Sequence, residues 1–196
     1  YGAGPFSTSN YYSLASPNPL QFAGDFTCHA VFVPSVAGNN LVASVWNGNG
    51  WTVRANTSVG YLQFYSNSNN LTTGNAPVLG GPNVASWGRS GGSHYAKLNL
   101  GTVASSVSGY TQPAGVAAAL GYSSGESVQF SGSHYELACS TTPFTDAAAT
   151  AIQQKVLGHL YGSTALSVTR TTTATVEQGD CTAGQCVWTV PPGVAR

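Results

Sequence analysis

The sequence is poor in charged residues. Only 6% of its 196 residues are Asp, Glu, Lys or Arg, and six basic residues balance six acidic ones to a net charge of zero. Because a typical soluble domain has about 25% charged residues, Ser, Thr, Asn, Gln and Gly must solvate this surface. Without a basic excess, the chain has no long-range field to attract nucleic acid or an anionic membrane. The composition therefore argues against both partners.

Long hydrophobic runs are also missing. The longest apolar stretches, such as 116–120, fall far short of the ~20 residues that a membrane-spanning helix needs. Membrane insertion is therefore not expected. The chain is nevertheless 42% hydrophobic, and a disordered chain would combine low hydrophobicity with high net charge. We therefore expect a folded chain.

Short alternating segments separated by turn residues are abundant. Between 25 and 34, Phe26, Cys28, Ala30 and Phe32 fall on one face of a strand. Asn-Gly-Asn-Gly at 47–50 is a strong hairpin signal, because both residue types tolerate positive φ. Strands at this spacing predict an all-β sandwich or barrel. Further strands are expected at 41–46, 51–55, 61–65, 83–87, 94–100, 118–122 and 127–139.

One short helix is expected after these strands. Thr142 or Thr145 is suited to the N-cap position. Ile152, Val156 and Leu160 then recur every four residues, which predicts a stripe that faces the core. A single helix after many strands would cover part of a sandwich.

The character of the sequence changes after residue 162. The segment 169–176 is rich in Thr, and Cys181-Thr-Ala-Gly-Gln-Cys186 indicates a hairpin closed by a disulfide. A metal site would need a second pair of ligands, and none follows. The disulfide would imply an oxidising compartment. We therefore expect a β-sandwich over 1–162, and a β appendage or the start of a following module over 163–196.

Several short motifs follow one another in a fixed order along the chain. They are Tyr12-Ser-Leu-Ala, Gly24-Asp-Phe-Thr, Gly50-Trp-Thr-Val-Arg with Gly60-Tyr-Leu-Gln-Phe, Arg89-Ser-Gly-Gly with Tyr95-Ala-Lys-Leu-Asn, and Phe130-Ser-Gly with Glu136-Leu. In this order they resemble a laminin-G-like domain of the concanavalin A-like lectin/glucanase superfamily over about residues 10–160. The tail over 166–175 and 190–196 is similar to segments of phage tail and prophage adhesion proteins.

This resemblance implies an antiparallel jelly roll in which the first long strand lies beside the closing strand. Cys28 and Cys139 would then face each other and form a bridge, the alternative being two buried free thiols. Family members often hold structural calcium, and Asp25 and Glu136 sit at positions that are rich in acids. Calcium takes six to eight oxygen ligands, so two separated acids would need many backbone carbonyls. No other cofactor is expected.

The superfamily includes glycanases, but the acidic residues do not support catalysis. A retaining glycosidase needs two carboxyl groups about 5–5.5 Å apart, and no two acids share alternating positions on one strand. The sequence also lacks a Gly-x-Ser-x-Gly nucleophile elbow. We therefore predict a protein that is not an enzyme. A glycoside hydrolase or a glutamic peptidase that uses Glu136 remains the alternative.

Aromatic and amide side chains cluster around the predicted hairpins and suit carbohydrate binding. The alternative is that the Asn residues only make turns. We expect Trp46 and Tyr65 to be the best exposed, and flat aromatic pairs also serve protein interfaces. The candidate ligand-binding residues are Trp46, Asn47, Asn49, Tyr61, Tyr65 and Asn67.

The sequence thus predicts a non-catalytic adhesion or recognition module. It would bind a glycan or a partner protein on a cell or particle surface, in a secreted, extracellular or virion setting. The alternative is a structural subunit of a surface or virion assembly. In that case its partners would be further copies of itself or neighbouring modules of a longer chain.

Overall fold

The computed structural model describes residues 11–16, 18–46, 49–66, 69–107, 116–123, 128–160, 180–182 and 185–187. The chain divides into two units, Tyr1–Leu160 and Tyr161–Arg196. No described helix is long and apolar enough to cross a membrane.

The first unit contains a six-stranded antiparallel sheet. Two of its strands, at the N-terminus and near residue 70, are too short for the sequence pattern to have predicted them. In spatial order the strands are β1 (Tyr12–Leu14), β10 (Ala118–Leu120), β3 (Asn39–Trp46), β4 (Gly50–Asn56), β5 (Tyr61–Ser66) and β6 (Asn69–Thr72).

A five-stranded antiparallel sheet packs against it. Its spatial order places the closing strand of the unit beside the first long strand, as the resemblance implies. The strands are β13 (Gly132–Ser140), β2 (Phe26–Pro34), β7 (Asn83–Ser90), β8 (Ser93–Leu98) and β9 (Ala104–Val107).

The single strand expected over 127–139 is divided in two. β12 (Val128–Gln129) pairs with β11 (Tyr122–Ser123) in a small separate ladder, and β13 begins only at Gly132. Gly132 has a φ of 145°, and an added Cβ there would collide with the backbone of Val33. Glycine therefore lets the chain turn from one ladder into the other.

The core lies between the two large sheets. The four residues that alternation places on one face of β2 point into this core, because Phe26, Cys28, Ala30 and Phe32 are all fully buried. Trp51 of the opposite sheet stacks on Phe26 at a centroid distance of 6.0 Å. Period-two burial on both sheets thus produces the β-sandwich that the strand pattern predicts.

The helix α1 (Asp146–Leu160) lies on the outer face of the five-stranded sheet, against β7. Its N-cap is Thr145, whose Oγ1 accepts a hydrogen bond from Ala148 N at 3.2 Å. Lys97 of β8 holds the first turn through a 2.6 Å ion pair with Asp146. The helix therefore covers a sheet face rather than entering the core.

The predicted core-facing stripe of this helix is wrong. Ile152 and Leu160 are 37% and 40% exposed, and the buried helical residues are Ala149 and Gln153. The physical reason is that the sheet face beneath α1 carries polar groups, so the residue that packs there is an amide. Val156 is half-buried.

The structure contains the disulfide between Cys28 and Cys139. The two residues are directly opposite each other in the β2–β13 ladder. In the second unit, β14 (Asp180–Thr182) and β15 (Gln185–Val187) form an antiparallel hairpin whose register places Cys181 opposite Cys186. The side chains of this second pair lie outside the described residues, so their disulfide stays a prediction.

Candidate functional site

Two of the predicted ligand-binding aromatics meet on the outer face of the six-stranded sheet. Trp46 at the end of β3 and Tyr65 on β5 have ring centroids 5.0 Å apart in an edge-to-face arrangement. Both side chains are half-buried. The strand between them, β4, contributes Gly50 opposite Trp46. Because glycine has no side chain, the indole can lie across β4 towards the phenol ring.

A buried polar side chain lies next to the aromatic pair. Thr52 pairs with Tyr65 in the ladder and is fully buried, although its neighbours Trp51 and Val53 point into the core. Alternation therefore places Thr52 on the outer face. The outer face is thus closed to solvent beside Tyr65, and the aromatic pair forms a platform there.

Polar groups continue this platform along β5 and β6. Gln63, two residues before Tyr65, donates a hydrogen bond from Nε2 to Asn70 Oδ1 at 2.9 Å. Arg54, two residues beyond Thr52 on β4, is half-buried on the same face. Sequence reasoning missed Gln63 and Arg54 as site residues, although the alternation that selects Tyr65 also selects them. We call Trp46, Thr52, Arg54, Gln63, Tyr65 and Asn70 the aromatic platform.

Of the other four predicted ligand-binding residues, two lie apart from the Trp46–Tyr65 pair and two lie outside the described residues. Tyr61 is opposite Asn56 at the far end of β5, four residues from Tyr65 and so roughly 13 Å away along the strand. Asn49 is exposed in the turn before β4. Asn47 and Asn67 lie outside the described residues. The structure thus brings together Trp46 and Tyr65 from the predicted set.

The two acids considered for calcium are far apart. Asp25 precedes β2 and accepts a hydrogen bond from Gly91 N at 3.2 Å. Glu136 pairs with Val31, six residues further along β2, which corresponds to roughly 20 Å. These two carboxylates cannot be ligands of the same ion. Among the described residues, no three His, Cys, Asp or Glu side chains form a group that could hold a metal.

The sequence Gly-Ser-His-Tyr occurs twice, at 92–95 and 132–135, and the structure places its two histidines far apart. His94 is opposite Arg89, which pairs with Phe26, whereas His134 is opposite Phe32. Burial lowers the pKa of each imidazole to about 4, with the nearby Arg89 charge adding to the effect at His94. The two histidines are buried packing residues at opposite ends of the sheet and do not form one site.

The sequence matches no protein-family model and no curated protein. Solved structures are similar to it in fold. A heptameric SAP-like pentraxin from Limulus polyphemus has 15% identity and a TM-score of 0.59, with 78% of this chain and 80% of the pentraxin covered. Domains LG4-5 of the mouse laminin α1 chain have 13% identity and a TM-score of 0.55, with 71% and 41% covered.

A third similar structure is a Bacteroides ovatus protein whose name describes it as carbohydrate binding. It has 17% identity and a TM-score of 0.58, with 76% of this chain and 46% of that protein covered. Identities this low establish the fold and leave the ligand open. The molecule has the antiparallel β-sandwich fold of laminin-G-like domains, the concanavalin A-like jelly roll, as its sequence motifs predict.

Proposed function

We propose that this chain is a non-catalytic recognition module that binds a glycan on the aromatic platform. The observation that carries the proposal is the Trp46–Tyr65 pair on the outer face of the sheet, 5.0 Å between ring centroids. Sugar rings present apolar C–H faces that suit aromatic side chains, and their hydroxyls need donors and acceptors. Gln63, Asn70 and Arg54 supply these beside the rings.

The charge distribution supports a weakly charged ligand of this kind. The chain has net charge zero, so attraction over distance contributes little and binding must come from contact. The fold is shared with a protein named as carbohydrate binding. The Cys28–Cys139 disulfide supports an oxidising, extracellular setting. Membership of a virion or another surface assembly stays a prediction that depends on the tail.

The positions of the described carboxylates support a non-catalytic role. In the first unit, Asp25 accepts from Gly91 N, Asp146 pairs with Lys97, and Glu136 lies on β13. Each of these acids is on a different part of the sandwich, and none lies on the aromatic platform. Glycoside cleavage that disappears in Glu136→Gln would overturn this part of the proposal.

A glycan array with the whole chain tests the binding. We expect a set of glycans to bind the wild type, and Trp46→Ala or Tyr65→Ala to weaken binding at least about tenfold, equivalent to ~1.4 kcal/mol. Tyr12→Ala is the matched control, because Tyr12 is an exposed aromatic on β1 at the far edge of the same sheet. Equal losses in the control and the platform variants, or an array without any signal, would contradict the proposal.

A further inference from the structure

A groove separate from the aromatic platform lies between α1 and the outer face of the five-stranded sheet. Its volume is about 530 Å³, within the range of roughly 300–1,000 Å³ that is usual for small-molecule sites. His29 and Val31 of β2 form the floor. The helical stripe of Ile152, Val156 and Leu160, in which Val156 is half-buried and the other two are exposed, forms one wall. The apolar residues that the sequence predicts to be in the core thus line this groove instead.

The opposite wall is the strand β13, the outermost described strand of its sheet. It contributes Tyr135, Glu136 and Ala138, all of them exposed. Because α1 lies over β7 and β13 is two strands away, the walls are separated by two inter-strand spacings, ~10 Å in total. The groove is therefore narrow, mostly apolar and open on the β13 side.

The floor offers an imidazole nitrogen that is backed by a buried hydrogen-bond network. Leu100 N donates to Gln153 Oε1 at 2.7 Å, so the Gln153 amide nitrogen is the group that donates to Ser86 Oγ at 2.8 Å. Ser86 Oγ shares a 2.9 Å hydrogen bond with His29 Nδ1. When Ser86 donates to Nδ1, neutral His29 carries its proton on Nε2 and can present this N–H to the groove.

The two walls carry opposite charges. Glu136 lies on β13 and Lys155 on α1, both lining the groove. Neither forms a salt bridge with another described residue. A carboxylate bound here would be attracted by Lys155, and an ammonium group would be attracted by Glu136. A ligand with both charges at its two ends matches both walls.

We propose that this groove binds a short apolar peptide with free ends, two or three residues long. Its ammonium group would pair with Glu136, its carboxylate with Lys155, and a peptide carbonyl would accept from His29 Nε2–H. Three extended residues span ~10 Å, which matches the separation of the walls. The apolar side chains would pack against Ile152 and Val156. This site goes beyond the proposed glycan binding and lies on the other sheet.

A titration of the whole chain with trileucine, followed by ¹⁵N NMR, tests the proposal. We expect saturable shifts at His29, Ala138 and Val156, and a loss of affinity of about fivefold or more when trileucine is N-acetylated or converted to its amide. Ala138→Trp should fill the groove and abolish the shifts. Val107→Trp is the matched control, because Val107 is 82% exposed on β9 at the other edge of the sheet. Unchanged binding in Ala138→Trp would overturn the site.

Charge variants test the assignment of the two ends. In Glu136→Gln, N-acetylation should no longer weaken binding while amidation still does, and in Lys155→Gln the pattern should reverse. Both residues are exposed, so these variants should keep the wild-type NMR dispersion. If capping either end of the peptide weakens binding to both variants as much as it weakens binding to the wild type, Glu136 and Lys155 do not bind the two ends. Failure of this site would leave the glycan array unaffected, because the platform residues are untouched.

Discussion

Single residues in this core show how a chain with few charges still buries titratable groups. His134 is 5% exposed and lies between Phe130 and Phe32, with ring centroids 4.4 and 6.1 Å away. His94 is 1% exposed and shares a 2.7 Å hydrogen bond with Ser66 Oγ. Both imidazoles are neutral at pH 7, because burial lowers their pKa to about 4.

This burial predicts a loss of stability in mild acid. An unfolded histidine has a pKa of about 6.5. Between pH 6.5 and 4, these two histidines therefore bind protons in the unfolded chain but stay neutral in the folded chain. Their titration leaves the free energy of unfolding unchanged above pH 6.5 and lowers it as the pH falls from 6.5 to 4. A shift of this size corresponds to on the order of 3 kcal/mol for each histidine. The expected result is a falling Tm between pH 7 and pH 4.5.

Calorimetry of His134→Gln checks which groups are responsible. The variant should be less stable at pH 7, because it loses packing against two phenylalanine rings, but its Tm should fall less steeply with acid. His159→Gln is the control, since His159 is exposed near the end of α1, and it should keep the wild-type slope. A wild-type Tm that stays constant down to pH 4.5 would refute the explanation.

At the scale of elements, the attachment of α1 depends on one buried amide. Gln153 is fully buried and makes three hydrogen bonds, with Ser86 Oγ, Lys97 O and Leu100 N. The Leu100 amide is presented by a turn in which Asn99 and Leu100 both have positive φ, 45° and 62°. The helix is therefore held both by the β8–β9 turn and by the polar face of the sheet.

Replacement of this amide should detach the helix from its support. In Gln153→Leu the three partners lose their hydrogen bonds inside a buried contact, and we expect a cost of about 3 kcal/mol. Gln154→Leu is the matched control, because the neighbouring side chain is exposed and should change stability by less than about 0.5 kcal/mol. Denaturant unfolding of both variants measures the difference. Similar midpoints would mean that the network does not anchor α1.

The sequence predicts the strands better than it predicts the helix, and the reason is physical. Alternation along a strand is local, so the residues that share a face of β2 can be grouped without knowing the partner strand. A helical stripe only shows that three residues share a face. Whether Ile152 and Leu160 are buried depends on the sheet they meet, and here a polar sheet face takes Gln153 instead.

The candidate sites show the same limit. That Tyr65, Gln63 and Thr52 share an outer face follows from period-two alternation. That Trp46 reaches Tyr65 depends on the registers of two ladders, which place Gly50 opposite Trp46 and Thr52 opposite Tyr65, and alternation within one strand does not give them. The register also separates Asp25 from Glu136. Motif positions along the chain cannot reveal such a distance.

At the largest scale, the sandwich of the first unit is closed by the pairing of β2 with β13, from opposite ends of that unit. This ladder runs from Gly132 opposite Pro34 to Ser140 opposite Thr27, with one bulge between His134 and Glu136. The disulfide in this ladder joins Cys28 to Cys139, which are 111 residues apart in sequence. Because few charges are available for surface ion pairs, closure rests on buried apolar area and on this covalent link.

The disulfide should therefore contribute a large share of the stability of the first unit. In the chain-entropy model, a bridge that closes a loop of about 100 residues stabilises by ~4–5 kcal/mol, which would shift Tm by roughly 10 °C in a protein of this size. We expect Cys28→Ala combined with Cys139→Ala to lower Tm by about that amount. Thermal unfolding with and without dithiothreitol provides the control: reductant should lower the Tm of the first unit in the wild type towards that of the double variant and leave the Tm of the first unit in the variant unchanged, because the predicted Cys181–Cys186 bridge lies in the second unit. A double variant that melts at the wild-type temperature would show that packing of the two sheets closes the sandwich without the covalent link.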